Sequence, residues 1–483
     1  MTYTFSSSSP GQAGGSAPQG ILRLGELLGA LSHALDLTEG QPKGHCVRCC
    51  WIGMQAAREL ELPPQALSDL YFTLLLKDLG CSSNAARICQ LYLTDDLSFK
   101  QNFKTVSGSR QGIEFLLRNT ALGTSPLQKL KTLGHVIARN GQLAGELIET
   151  RCNRGAGIAR QMRFSEDVAE GIASLDEHWD GGGQPQGLKG AAIPLFARIA
   201  LMAQVADVFA ASAGAEAAAA ELEARAGSWF DPELVPVFTA VIRRPGFLAD
   251  LQDPGLEAEV FATPQAQHIH ALDEDYLDEI ARAFSLVIDA KSPFTHGHSQ
   301  RVARYTGLIC DQLGYSPGRR RWMVRGALLH DIGKLGVSNT ILDKPGKLTD
   351  EEFALMKRHP ALGHEVLSRI AAFRELADVS AAHHERLDGK GYPYGMDASQ
   401  LTQDMRVMAV ADIFDALTAE RPYRSALPLE KTYAIMDDLA GPGIDPDCYA
   451  ALQDAVTASG WPSASDAGLP ESTWELPAAE RSA

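Results

Sequence analysis

An all-α protein built from two related helical bundles is the fold this sequence predicts, and three observations predict it. Apolar residues recur every three or four positions along most of the chain, as in Tyr276, Ile280, Ala283, Phe284, Val287 and Ile288, which share one face of a 3.6-residue helix. Alternating strand patterns are scarce. The chain also repeats itself. Gly44-His45-Cys-Val-Arg48 returns as Gly297-His298-Ser-Gln-Arg301, and 32 residues beyond each histidine stand Leu-Leu-Lys77-Asp78-Leu-Gly80 and Leu-Leu-His330-Asp331-Ile-Gly333.

Further landmarks extend the repeat. Glu177-His-Trp-Asp180-Gly181-Gly-Gly183-Gln184-Pro185 matches Glu385-Arg-Leu-Asp388-Gly389-Lys-Gly391-Tyr392-Pro393, and Phe230-Asp231-Pro232 matches Ile444-Asp445-Pro446. The expected organisation is a Ser/Gly/Pro-rich tail over 1–20, a first copy over 21–243, a Pro/Gly-rich linker over 244–272, a second copy over 273–458 and a C-terminal tail over 459–483. The first copy carries about 45 extra residues before Arg151.

Length and charge bound the function. A chain of 483 residues has room for two or three compact units. Its formal net charge of −16 repels polyanions, so wrapping DNA or RNA is excluded while a small anion in a local basic pocket is not. The run Arg319-Arg320-Arg321 lacks interleaved aromatics and reads as a solvated face. The stretch from Ile193 to Ala220 is broken by Arg198, Gln204, Asp207 and Glu216, which predicts a buried helix and no membrane partner. No signal peptide is evident, and eight scattered cysteines point to a reducing cytoplasm. Cys46-x-x-Cys49, with Cys50 beside it, has no second pair and reads as buried structural thiols.

The copies differ where chemistry resides. The second holds His298, His330, Asp331, His359, His383, His384 and Asp412. The aligned positions of the first read His45, Lys77, Asp78, Arg151, Leu175, Asp176 and Asp207, the last with a shift of three in spacing. A lysine and an arginine repel a divalent cation, so the first copy is expected to be metal-free and inactive. Five histidines and two aspartates suit iron, manganese or zinc. Two such ions sharing a carboxylate clamp an in-line phosphoryl displacement, which makes hydrolysis of a phosphate ester the expected reaction. Asp331 is the natural bridge because its neighbour His330 takes one metal. Lys334, one turn on, is placed to present its ammonium to the scissile phosphate.

His330-Asp331-Ile-Gly333-Lys334, together with His383-His384-Glu385-x-x-Asp388-Gly389-x-Gly391-Tyr392-Pro393, resembles the paired signatures of the HD-GYP family within the HD phosphohydrolase superfamily. Asp412-Ile-Phe-Asp415-Ala-Leu-Thr418-x-x-Arg421-Pro422-Tyr423-Arg424 is also similar. The resemblance is full over about 275–458 and degraded over 21–243. It implies HD-type helical bundles, an iron or manganese cluster, and hydrolysis of cyclic di-GMP to the linear dinucleotide or to the mononucleotide. Some relatives with a degenerate first copy act instead on the mixed guanine–adenine cyclic dinucleotide.

Carried over residue by residue, the resemblance gives one metal His298, His330, Asp331 and Asp412. The other receives Asp331, His359, His383 and His384. Substrate contacts fall to Lys334, Tyr392, Arg421 and Arg424. Phe294 stands where some members carry a carboxylate for a third metal, which favours two ions. His296 and His364 read as non-ligands, Glu385, Asp388 and Gly389 as loop-shaping residues, and Asp415 and Thr418 as a brace for Arg421. The first copy is expected to pack on the second as an intramolecular pseudo-dimer, with a homodimer as a further expectation. The rival from another class is a non-catalytic nucleotide receptor or interaction protein.

Overall fold

The computed structural model describes residues 24–103, 106, 108–122, 125–266, 273–420 and 424–458. Helices make up the fold, and among the described residues the only β pairings are isolated bridges such as Asp388 with Asp397. Local sequence starts several of the helices. Thr349 and Glu352 form a full capping box at Asp350–Met356, and Ser316 accepts from Arg319 N where Pro317 opens Pro317–Leu329.

The two halves follow one plan. In the first, Leu24–Thr38 leads to His45–Glu59, Pro64–Leu76 and, after an insertion, Pro126–Gln161 and Leu195–Ala213. In the second, Glu274–Asp289 leads to His298–Gln312, Pro317–Leu329, His359–Leu367, Arg374–Ala381 and Gln403–Thr418. Leu195–Ala213 is long and apolar enough to cross a bilayer, yet most of it is buried inside the protein, as expected of a core helix. The insertion builds a smaller cluster of its own around Tyr92, Phe99, Phe115 and Val136.

One continuous apolar core runs through both halves. The Tyr276 hydroxyl donates to Met162 O at 3.0 Å, and buried Lys291 reaches Asp96 of the insertion at 2.7 Å. The stretch expected to be a linker is no open connection. Phe247–Leu251 and Leu256–Ala262 are helices whose Phe247, Leu251, Leu256 and Val260 join that core, because their apolar spacing outweighs the punctuation of Pro254 and Gly255. Gly29 is there because a Cβ would lie 2.0 Å from the Phe261 ring. The tails expected at 1–20 and 459–483 lie outside the described residues.

Candidate metal centre

Helix ends deliver the site. His298 opens His298–Gln312 behind Gly297, whose φ of 67° is the left-handed turn that lets the chain enter the helix. The backing is Asp289, whose carboxylate accepts from the Ser299 hydroxyl at 2.6 Å and from Ser299 N. His330 and Asp331 follow Pro317–Leu329, where a 3₁₀ turn over Ile332–Gly336 bends the chain toward His359–Leu367. Gly333 is required for that approach, since a Cβ there would stand 1.9 Å from His359 O. His383 and His384 follow Arg374–Ala381, and Asp412 comes from Gln403–Thr418.

All seven expected ligand residues converge, and six are buried, with His384 partly exposed. The two oxygens of Asp331 face different partners. Its Oδ2 lies 3.1 Å from His298 Nε2 and 3.5 Å from His330 Nε2, with Asp412 Oδ1 3.4 Å from His298 Nε2. Its Oδ1 lies 3.4 Å from His359 Nε2 and 3.7 Å from His383 Nε2, and His384 completes that side.

These residues fit divalent cations on two grounds internal to the structure. The outer ring nitrogens are already engaged. His298 Nδ1 meets Asp415 Oδ2 at 2.6 Å, His330 Nδ1 meets Ala327 O at 2.7 Å, His359 Nδ1 meets Met356 O at 2.8 Å, and His383 Nδ1 meets Ser380 O. Donation from Nδ1 leaves the Nε2 lone pair facing the centre, the tautomer a metal ligand needs. The second ground is orphaned atoms, since His298 Nε2, His330 Nε2 and Asp331 Oδ1 are buried without a hydrogen-bond partner.

Electrostatics divide the imidazoles. Burial holds His359 at about 3 and His383 at about 4, keeping both imidazoles neutral. Burial would also lower His298, but Asp331 and Asp415 raise it to about 9. Burial would raise Asp331, yet Lys334 and the surrounding imidazoles hold its carboxyl well below the usual range. The Lys334 ammonium rests on Asp331 and is largely buried, so it is no solvated lysine.

Sequence reasoning gave two aspartates, Asp415 and Asp207, other roles and passed over a third, Asp289. Asp415 orients His298 and is gripped by Arg301 at 2.6 Å, so it serves the candidate metal site, while the Thr418 hydroxyl bonds Phe414 O. Asp207 likewise meets His45 Nδ1 and Arg48 Nε, both at 2.6 Å. Asp207 is therefore the counterpart of Asp415, and the expected match to Asp412 is corrected to Gln204, three residues earlier. Arg198 on Asp231 and Arg406 on Asp445 fix the same register. The shared His-x-x-Arg spacing was the available signal. Asp289, which backs His298 through Ser299, was the one passed over.

Other expectations fall into place. Glu385 accepts from Tyr394, Gly395 and Met396 N and so shapes its loop. His364 pairs with Asp378, and His296 is exposed. The three arginines 319–321 depart from the solvated face expected: all are half-buried and paired with carboxylates, Arg319 with Glu375 and Asp404, Arg320 with Asp311, and Arg321 with Asp275 and Asp278. Cys46, Cys49 and Cys50 are buried free thiols. Arg424 departs from expectation. Its guanidinium donates to Leu417 O at 3.0 Å and to Ala416 O, so it closes the end of Gln403–Thr418. Arg421 lies outside the described residues.

A profile of the family described as HD domain matches two segments of the chain, 131–234 and 282–448. The chain is 51% identical over 442 residues to the 3'3'-cGAMP-specific phosphodiesterase 3 of Vibrio cholerae, covering 91% of this chain and 96% of that one. The chain belongs to the HD-GYP family. A second relative, the cyclic di-GMP phosphodiesterase of Thermotoga maritima, is 37% identical over 37% of this chain and 49% of its own length. Among solved structures, a cyclic GMP-AMP specific phosphodiesterase of V. cholerae aligns with a TM-score of 0.63 at 46% identity, over 91% of this chain and 98% of that one. HD-domain phosphohydrolases are metal-dependent, which accords with the donor set above.

Proposed function

We propose that this HD-GYP protein is a metal-dependent phosphodiesterase of cyclic dinucleotides, with 3'3'-cGAMP ahead of cyclic di-GMP as substrate. The observation that carries the reading is the division of Asp331, whose two oxygens face two separate groups of imidazoles. His298, His330 and Asp412 would hold one ion, and His359, His383 and His384 the other, with Asp331 shared; iron or manganese suits this mixed nitrogen and oxygen set. Ions held there would supply Lewis acidity at the scissile phosphate and lower the pKa of a nucleophilic water.

The chain's own residues do the rest. Asp415, Ala327, Met356 and Ser380 fix the four imidazoles, so no reorganisation is needed when substrate arrives. Lys334 swings its ammonium from Asp331 to the phosphoryl oxygens as negative charge develops. Tyr392, whose ring centroid is 4.7 Å from that of His384, forms a wall at the mouth of the site.

Motif alone puts cyclic di-GMP first. The relative that matches nearly end to end is named for the mixed dinucleotide, which supports reversing that order. The first half, with Lys77 and Arg151 at its centre, we read as a metal-free scaffold. The test is turnover of 3'3'-cGAMP, cyclic di-GMP and cyclic di-AMP by purified protein, with iron and manganese measured in the same sample. Metal-free protein that leaves all three intact would instead support a nucleotide receptor.

A further inference from the structure

All but two of the exposed large apolar side chains among the described residues lie between Phe103 and Ile137; the others are Phe353 and Leu355, 43% and 46% exposed. Both sit on Asp350–Met356, a helix that buries none of its residues and ends just before the candidate ligand His359. Phe353 is not stranded at random. Its ring centroid lies 6.1 Å from Tyr392 at 78°, Tyr392 lies 4.7 Å from His384, and His384 lies 4.1 Å from His383. Rings thus run without a break from the metal cluster to the surface. At the outer end the Lys357 ammonium stands 4.5 Å from the Phe353 centroid and 5.9 Å from that of Tyr392. Among the described residues it has no carboxylate within ion-pair distance, whereas nearby Lys344 is held by Glu352.

An exposed phenylalanine gains little from folding where it stands, and an ammonium over a ring in water contributes only weakly. The arrangement matches what a purine requires: a flat apolar face for the base and a mobile cation for its edge. Guanine offers O6 and N7 as adjacent acceptors, which a lysine can bond together. Adenine replaces O6 with an amino donor.

We infer that Phe353 and Lys357 form the base-recognition wall of the site, Phe353 stacking a purine of the cyclic dinucleotide and Lys357 selecting guanine at that position. This rests on the phosphodiesterase reading above. It predicts acceptance of 3'3'-cGAMP and cyclic di-GMP and discrimination against cyclic di-AMP, set by a helix outside the signature motifs.

Steady-state kinetics on the full-length, metal-loaded enzyme test it, with metal content matched between variants. Phe353→Ala should raise KM for 3'3'-cGAMP by on the order of 10-fold while kcat holds, and Phe353→Trp should restore KM, because any broad ring can stack. Lys357→Met should shrink the kcat/KM preference for cyclic di-GMP over cyclic di-AMP by on the order of 10-fold. An unchanged KM in Phe353→Ala, an equal loss in Phe353→Trp, or an unchanged base preference in Lys357→Met would overturn the inference while leaving the phosphodiesterase reading intact. Failure of the unmodified enzyme to cleave any cyclic dinucleotide would overturn both.

Discussion

His45 and His298 occupy matching surroundings and serve opposite ends. Each opens a helix after a left-handed glycine, each directs Nδ1 to an aspartate 2.6 Å away, and each such aspartate is held by the arginine three residues after the histidine. The inner faces diverge. His298 Nε2 is orphaned beside Asp331, whereas His45 Nε2 meets the Lys77 ammonium at 3.2 Å, and that ammonium also contacts Asp78. Arg151, whose carbonyl crowds Gly80 as the His359 carbonyl crowds Gly333, pairs with Asp176 in the same way. One frame therefore presents either converging lone pairs or a set of side chains that carry their own cations. Burial alone would neutralise Lys77, but Asp78 keeps it charged.

The largest break in this comparison should come from the paired aspartates. Asp331→Ala is expected to reduce turnover to background and strip most of the metal, with circular dichroism near normal because an extensive apolar core holds the helices independently of the metal. Asp78→Ala should do the reverse. It leaves the Lys77 ammonium buried without its counter-ion, which costs on the order of 3–5 kcal/mol in chemical denaturation, while folded protein keeps its metal. Retained turnover in Asp331→Ala would defeat the bridge assignment, and an unaltered midpoint in Asp78→Ala would defeat the internal-cation account.

Next in size are the cations beside the phosphate. Lys334→Ala should lower kcat by on the order of 10²-fold if its ammonium stabilises developing charge in a water-poor site. Arg424→Ala is expected to lower the melting temperature and leave KM near its original value, because its guanidinium is spent on the carbonyls of Ala416 and Leu417. A KM increase without loss of stability would return Arg424 to the substrate.

The helical class was legible in the apolar periodicity, and the clustering of the seven side chains in the fixed spacing of histidine and aspartate. The register of Asp207 against the second half was not. Asp207 and Asp412 share an Ala-Asp-x-Phe context, so local similarity paired them, whereas Arg198, Arg406 and their aspartates show that Asp207 answers to Asp415. Roles that depend on where a side chain turns were equally hidden. Arg424 could face substrate or its own helix end, and the spacing is the same in either case. The linker failed for a related reason, since Pro254 and Gly255 punctuate a segment whose apolar residues still find the core.

A smaller effect separates the aspartates behind the histidines. Asp415→Asn should weaken metal affinity by about 10–100-fold, the usual range for a group that orients a ligand imidazole. Asp207→Asn should leave metal content untouched and cost on the order of 1–3 kcal/mol through the weakened buried contacts to His45 and Arg48. Titration of metal into chelator-stripped protein, read beside thermal melts, distinguishes the two.

The smallest expected effect is none at all, and it probes the comparison most directly. Lys77→His restores the histidine that stands at His330 in the second half, so a single-residue account of the difference predicts a metal site. The geometry predicts otherwise. Arg151 and Asp176 would still close one side with their own ion pair, Leu175 would present carbon where His383 presents nitrogen, and Gln204 would stand where Asp412 supplies a carboxylate. His45, Asp78 and the new imidazole alone leave coordination short, with a retained positive charge nearby. Metal content of Lys77→His, measured in an Asp331→Ala background that empties the other site, should therefore equal that of Asp331→Ala itself; a gain approaching one ion per chain would show that Lys77 alone keeps the first half metal-free.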